Sequence, residues 1–189
     1  MQERRVTLTD PAVVDALAHP VRLDVLGYLM SSGPATASQC ARAVGDTPSN
    51  CSYHLRVLAA LGLVEPDDSG DGRSRPWRAT ITGFTVESDG PGEVPGTAEM
   101  LAASVELDHH LVREYLRGRE SVPDEWRRAD MHGTYGLALS PAELIEVERQ
   151  LDAVLRPYLR PTRTDAPDDA EYVHVSINAF PRAEFSGPR

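Results

Sequence analysis

Lysine is absent from this 189-residue chain, so all 19 basic side chains are arginines, planar forks suited to phosphates and guanine edges. Cysteine is scarce. Cys40 and Cys51 are the only two, and they form neither a CxxC pair nor a loop framework. That usage fits free thiols acting as small hydrophobes in a reducing compartment, and argues against a disulfide scaffold. No apolar run approaches the roughly 18 residues that span a bilayer, and the amino terminus lacks the apolar core of a signal peptide. The expectation is a cytoplasmic protein with no membrane partner. A Gly-rich phosphate loop, GxSxG, HExxH and CxxC are all missing, and the carboxylates are scattered as solvated helix faces usually are, so catalytic residues, metal and cofactor are all expected to be none. Internal repeats are lacking too.

Neutralising charge is missing from only one half. The net charge is −10, but residues 1–85 carry 8 Arg against 9 Asp plus Glu, while residues 86–189 carry 11 against 20. The first part is nearly neutral and can still present a basic face to a polyanion. The second would repel one. This length accommodates one domain or two small ones, and two compact units are expected.

Helix signals dominate the first half. Asp10-Pro11 reads as an N-cap with Pro at the first helical position, leading into Val13, Val14 and Leu17. A second helix starts near His19-Pro20, carries Leu23, Leu26, Leu29 and Met30, and breaks at Ser32-Gly33-Pro34. Thr36 caps a helix over 37–44 that ends at Gly45, and Thr47-Pro48 opens the next after a tight turn. This fourth helix turns Cys51, Leu55, Leu58 and Leu61 or Ala59 inward and stops at Gly62. Residues 63–66 and 73–81 then read as a β-hairpin with an arginine-rich returning arm.

Residues 88–96, with three Gly and two Pro, mark a linker between a domain at 1–87 and another at 97–189. The second unit opens with a long helix over about 97–119 whose apolar face includes Leu101, Val105, Leu107, Leu111, Val112, Tyr115 and Leu116. A strand is expected over 134–139, then a helix opened by the capping box Ser140-Pro141-Ala142-Glu143, then an alternating strand over 172–180. The fold class is α+β: a winged helix-turn-helix domain followed by a small α+β dimerisation or effector domain. Trp77, Trp126 and Tyr135 are expected to fill cores rather than line a ligand pocket.

Helices joined by a tight turn and followed by a hairpin make a small core that presents one helix to a DNA groove. The unpaired N–H groups at its start favour phosphate, and its first turns reach base edges. The contact candidates are therefore Thr47, Pro48, Ser49, Asn50, Ser52, Tyr53, His54 and Arg56, although packing is the plainer role for His54. Arg73, Arg75 and, less centrally, Arg78 on the hairpin would touch backbone or minor groove. Solubilising the hairpin edge is their competing role, and Asp67, Asp68 and Asp71 at its tip oppose phosphate.

Ala18-His-Pro-Val-Arg-Leu-Asp-Val-Leu26, Ser49-Asn-Cys-Ser-Tyr-His-Leu-Arg-Val-Leu58 and Leu61-Gly-Leu-Val64, in that order, resemble the ArsR-like winged helix transcriptional regulators, over about residues 10–82. The resemblance implies a homodimer on a pseudo-palindromic double-stranded DNA operator, usually as a repressor released by a small ligand or metal. Both metal patterns of the family are incomplete here: Cys40 stands alone on the third helix, and Asp108-His109-His110 has no second half near Ser121. A metal sensor is therefore not expected, and an effector of unknown identity is left open. In the long helix, Leu101, Val105, Leu111, Val112 and Tyr115 are the expected dimer contacts. The rival is a winged helix adaptor that docks protein without specific DNA binding.

Overall fold

The computed structural model describes residues 5–67, 75–85, 94–159 and 162–182. Strand β1 (Arg5–Thr7) precedes α1 (Pro11–Leu17), α2 (Pro20–Ser32), α3 (Ala37–Val44) and α4 (Pro48–Ala60). Strands β2 (Val64–Pro66), β3 (Trp77–Ala79) and β4 (Gly83–Thr85) follow, then α5 (Thr97–Gly118), α6 (Asp124–Ala129) and α7 (Pro141–Leu155).

The helix starts follow from side chains that satisfy otherwise orphaned N–H groups. Asp10 accepts from the Ala12 amide, and Thr36 and Gln39 form a reciprocal capping box. Ser140 and Glu143 form a second box at α7. Gly45 closes α3 at φ 68°, a left-handed conformation that would strain any residue with a Cβ, and this allows the chain to turn directly into α4.

Four helices converge on one core. Val14 and Leu17 of α1, Leu26 and Leu29 of α2, Cys40 of α3, and Cys51, Leu55 and Leu58 of α4 are all buried. Both cysteines are free, and burial pushes the Cys40 thiol up to about 11, so it serves as a small apolar group. Met100 is also buried in this core, and α5 packs on α1 and α2. The core therefore continues past the 88–96 stretch, of which 88–93 lies outside the described residues.

The hairpin forms as expected, with β2 antiparallel to β3 and Val64 opposite Ala79. Its tip, including Arg73, lies outside the described residues. Trp77 exchanges two backbone hydrogen bonds with Ala35, at 2.8 and 2.9 Å, and so ties the wing to the turn before α3. A parallel pairing of β1 with β4, Val6 opposite Phe84, was not expected, because three-residue strands are too short to show a period.

The carboxyl-terminal half differs from expectation. Residues 134–139 and 172–180 belong to no ladder. Their alternating pattern suits a strand, but a strand needs a neighbouring backbone, and among the described residues this single chain offers them none. Trp77 and Trp126 are half-buried, whereas Tyr135 is 81 % exposed and fills no core. Among the described residues no helix is long and apolar enough to cross a membrane.

Candidate nucleic-acid interface

Helix α4 has a buried rear and an open front. Cys51, Leu55 and Leu58 anchor it, while Thr47, Pro48, Ser49, Asn50, Tyr53 and Arg56 are exposed and Ser52 is half-exposed. This split follows from the 3.6-residue period, since residues 51, 55 and 58 share one face. Tyr53 is 56 % exposed, with its ring standing off the packed rear face. The Arg56 guanidinium donates to Ser52 Oγ at 3.1 Å, which holds the fork against the front of the helix.

The cap at the start of α4 is formed by Thr47 Oγ1, which accepts from the Asn50 amide at 3.2 Å. Thr47→Ala is expected to destabilise the protein by about 1 kcal/mol. A shift of the urea midpoint at unchanged slope is the readout. Beside the cap stands Asp46, whose carboxylate accepts from the Thr47 amide and from Asn50 Nδ2, each at 2.6 Å. Asp46 precedes the helix, so helical spacing does not single it out. The bond to Asp46 uses one of the two Asn50 amide hydrogens, so the second N–H and the amide oxygen keep their bonding capacity.

His54 corrects the expected contact set. It is 3 % exposed and packs on His19, with ring centroids 4.6 Å apart, because its position falls on the inward face beside Leu55. Neither ring's Nδ1 has a hydrogen-bond partner. Burial, His19 and the nearby Arg22 hold the His54 pKa below its ordinary value, with Asp46 opposing them. The unfolded chain therefore takes up this proton at a higher pH than the folded chain does. Stability is full above the ordinary histidine pKa and is lost as pH falls through that value towards the depressed folded one. His54→Gln should flatten the fall in the urea midpoint between about pH 7.5 and about pH 5.5.

On the wing, Arg75 is exposed. Arg78 bridges Glu65 at 2.6 Å and Asp67 at 3.6 Å, so its charge is already balanced within the hairpin. Along α5, Leu101, Leu111 and Val112 are exposed, while Val105 and Tyr115 are half-buried. The Tyr115 hydroxyl donates to Asp130 at 2.6 Å, and Arg119 Nε reaches the same carboxylate at 2.8 Å. These two contacts hold Asp130 below the usual carboxylate range and tie α5 to the residue that closes α6.

Residues 17–67, spanning α2 to β2, match the family described as "Helix-turn-helix domain". Over 59 residues the chain is 42 % identical to the HTH-type transcriptional regulator NmtR of Mycobacterium tuberculosis. In this part the chain is similar to helix-turn-helix transcriptional regulators. The match covers 31 % of this chain and 48 % of the relative, so the chain spans about half the length of the protein it resembles. Among solved structures, the winged helix-turn-helix domain of Mb0332 from Mycobacterium bovis is similar at 27 % identity and a TM-score of 0.33, over 53 % of this chain and 79 % of that one. It is described as homodimeric and as a possible ArsR-family transcriptional regulator. A transcriptional regulator homologue from Pyrococcus horikoshii OT3 is similar at 26 % identity and a TM-score of 0.33, over 51 % of this chain and 84 % of that one. At such TM-scores the overlays carry no argument; the helix-turn-helix reading of residues 17–67 stands on the family match and the four-helix, hairpin order.

Proposed function

We propose that the protein is a sequence-specific DNA-binding transcriptional regulator that acts as a homodimer, in the manner of a repressor, on a pseudo-palindromic operator. The observation that carries this reading is the front of α4, where Ser49, Asn50, Ser52, Tyr53 and Arg56 stand clear of a fully packed rear face. A rigid helix with hydrogen-bonding groups in its first turns is what major-groove readout needs. Thr47 and Pro48 would set its N–H groups against a phosphate, with Arg75 and Arg73 reaching the backbone from the wing. His54 is left out of this set and supports the helix from behind. Exposed Leu101, Leu111 and Val112 support α5 as a seam between two copies, which would set two α4 helices about one DNA turn apart.

The adaptor reading draws on Arg78, already neutralised by Glu65 and Asp67, and on Asp46 beside the helix start. Competition between DNA from the protein's own promoter region and random DNA decides the matter. A regulator prefers its own promoter at moderate salt, while an adaptor binds both weakly and alike.

A further inference from the structure

Among the described residues no side chain beyond Met100 is buried, although the sequence from there on is patterned for a core. Helix α7 has an apolar stripe from Leu144 to Leu155, yet its one substantial neighbour among the described elements is the short 3-10 turn Arg156–Tyr158 that follows it. Tyr135, Tyr158, Tyr172 and Phe180 are 81, 64, 52 and 72 % exposed. With about 150–250 Å² per aromatic side chain, these four alone present roughly 500 Å² of surface. Leu137, Ile145, Val154, Val173, Val175 and Ile177 are each at least half exposed as well. Summed over these segments, the exposed apolar surface is on the order of the ~800 Å² that each partner contributes to a stable interface.

The orientation of residues 172–180 narrows the choice of what covers this surface. His174 Nε2 lies 3.0 Å from Asp108 of α5, Ser176 Oγ donates to the same carboxylate, and Asn178 Nδ2 donates to Ser176 at 3.3 Å. The polar side of the alternation is thus turned to the chain's own helix, and Val173, Val175 and Ile177 between them are left 58, 50 and 53 % exposed. A strand that shows its apolar side away from its own subunit is built for an interface. Asp108 also sits at four-three-four spacing with Leu101, Val105 and Val112, so this strand adjoins the α5 seam. Charge points to the occupant. The half from residue 86 carries 20 acidic side chains against 11 basic ones, which repels another copy of itself, yet 134–139 and 172–180 contain no Asp, Glu, Lys or Arg at all. These are the stretches where two acidic copies can meet without like-charge cost.

We propose that residues 131–159 and 162–180 complete their fold against the same residues of a second copy, with 134–139 and 172–180 pairing as strands across the subunit boundary and burying the α7 stripe. The proposal rests on the homodimer of the preceding reading and moves much of its interface beyond α5. A missing ladder partner and a missing core are then supplied together, and the two-fold symmetry makes one apolar surface complementary to itself.

Hydrogen exchange on the full chain, run well above and well below the dissociation constant from analytical ultracentrifugation, tests this. Amides in 134–139 and 172–180 should be slow to exchange in the dimer and fast in the dilute monomer. The double variant Val175→Asp, Ile177→Asp should raise the dissociation constant by about 100-fold or more, with the thermal transition of the amino-terminal core retained. The proposal is overturned by a monomeric wild type, by fast exchange of these amides in a dimer, by an apolar compound found by native mass spectrometry on the monomer, or by an unchanged dissociation constant in the double variant. In that last case α5 alone holds the dimer and the regulator reading stands. Slow exchange in a dimer with no preference for promoter DNA would instead sink the regulator reading and leave this one intact.

Discussion

Leu55→Ala is expected to destabilise the protein by about 2–5 kcal/mol and to abolish DNA binding at physiological temperature. Leu55 has no exposed surface and packs where α4 meets the other helices of the core. Removing its branched end forfeits the transfer free energy of the lost carbons and leaves a cavity, because the rigid helices around it close in only partly. Its front-facing neighbours are untouched by the change, so any loss of DNA binding reports on the support behind the helix. Urea denaturation followed by circular dichroism gives the magnitude. A cost under about 1 kcal/mol would mean that the rear of α4 is not the packed face described above.

Arg56→Ala is expected to do the converse: to leave stability within about 0.5 kcal/mol of the parent and to weaken binding to the specific site by about 1–3 kcal/mol, roughly 5- to 150-fold. Arg56 is exposed, and its one hydrogen bond to Ser52 Oγ spans a single helical turn. Exposed pairs of this kind add little to stability, so removing the fork costs the fold almost nothing. On a guanine edge the same fork would make two charge-assisted hydrogen bonds, and the Ser52 contact limits its rotamers in advance. Ser52→Ala should follow in the same direction with a smaller loss. The comparison that matters is between promoter and random DNA. An equal loss on both would place Arg56 on phosphates only, outside any readout of sequence.

The parts of the fold that the sequence disclosed are those decided by local chemistry. Asp10, Thr36, Thr47 and Ser140 each cap the helix expected of them, and Gly45 ends α3 as a left-handed residue. Caps and turns depend on a few adjacent residues, so spacing alone exposes them. The core face of α4 was legible for the same reason, one period repeated over three turns. His54 was harder, because a histidine at the edge of a polar face serves contact or packing equally well until its neighbour His19 is seen 4.6 Å away. Asp46 escaped notice because what it holds is a side chain four residues on, within a turn whose shape the sequence does not state. Strand pairing was the least legible. The β1 and β4 segments join residues nearly eighty positions apart, and the alternation at 134–139 and 172–180 names the inward residues without naming the neighbour that makes a strand of them.

Whether the front of α4 reads DNA is decided by titrating the purified full chain with a fragment of its own promoter region and with random DNA across a range of salt. The expected result is a linear fall of log affinity with log salt for both, from counterions released by arginine–phosphate contacts, and a promoter affinity at least about 1,000-fold above random at physiological salt. A flat salt dependence with no preference between the two fragments would contradict it.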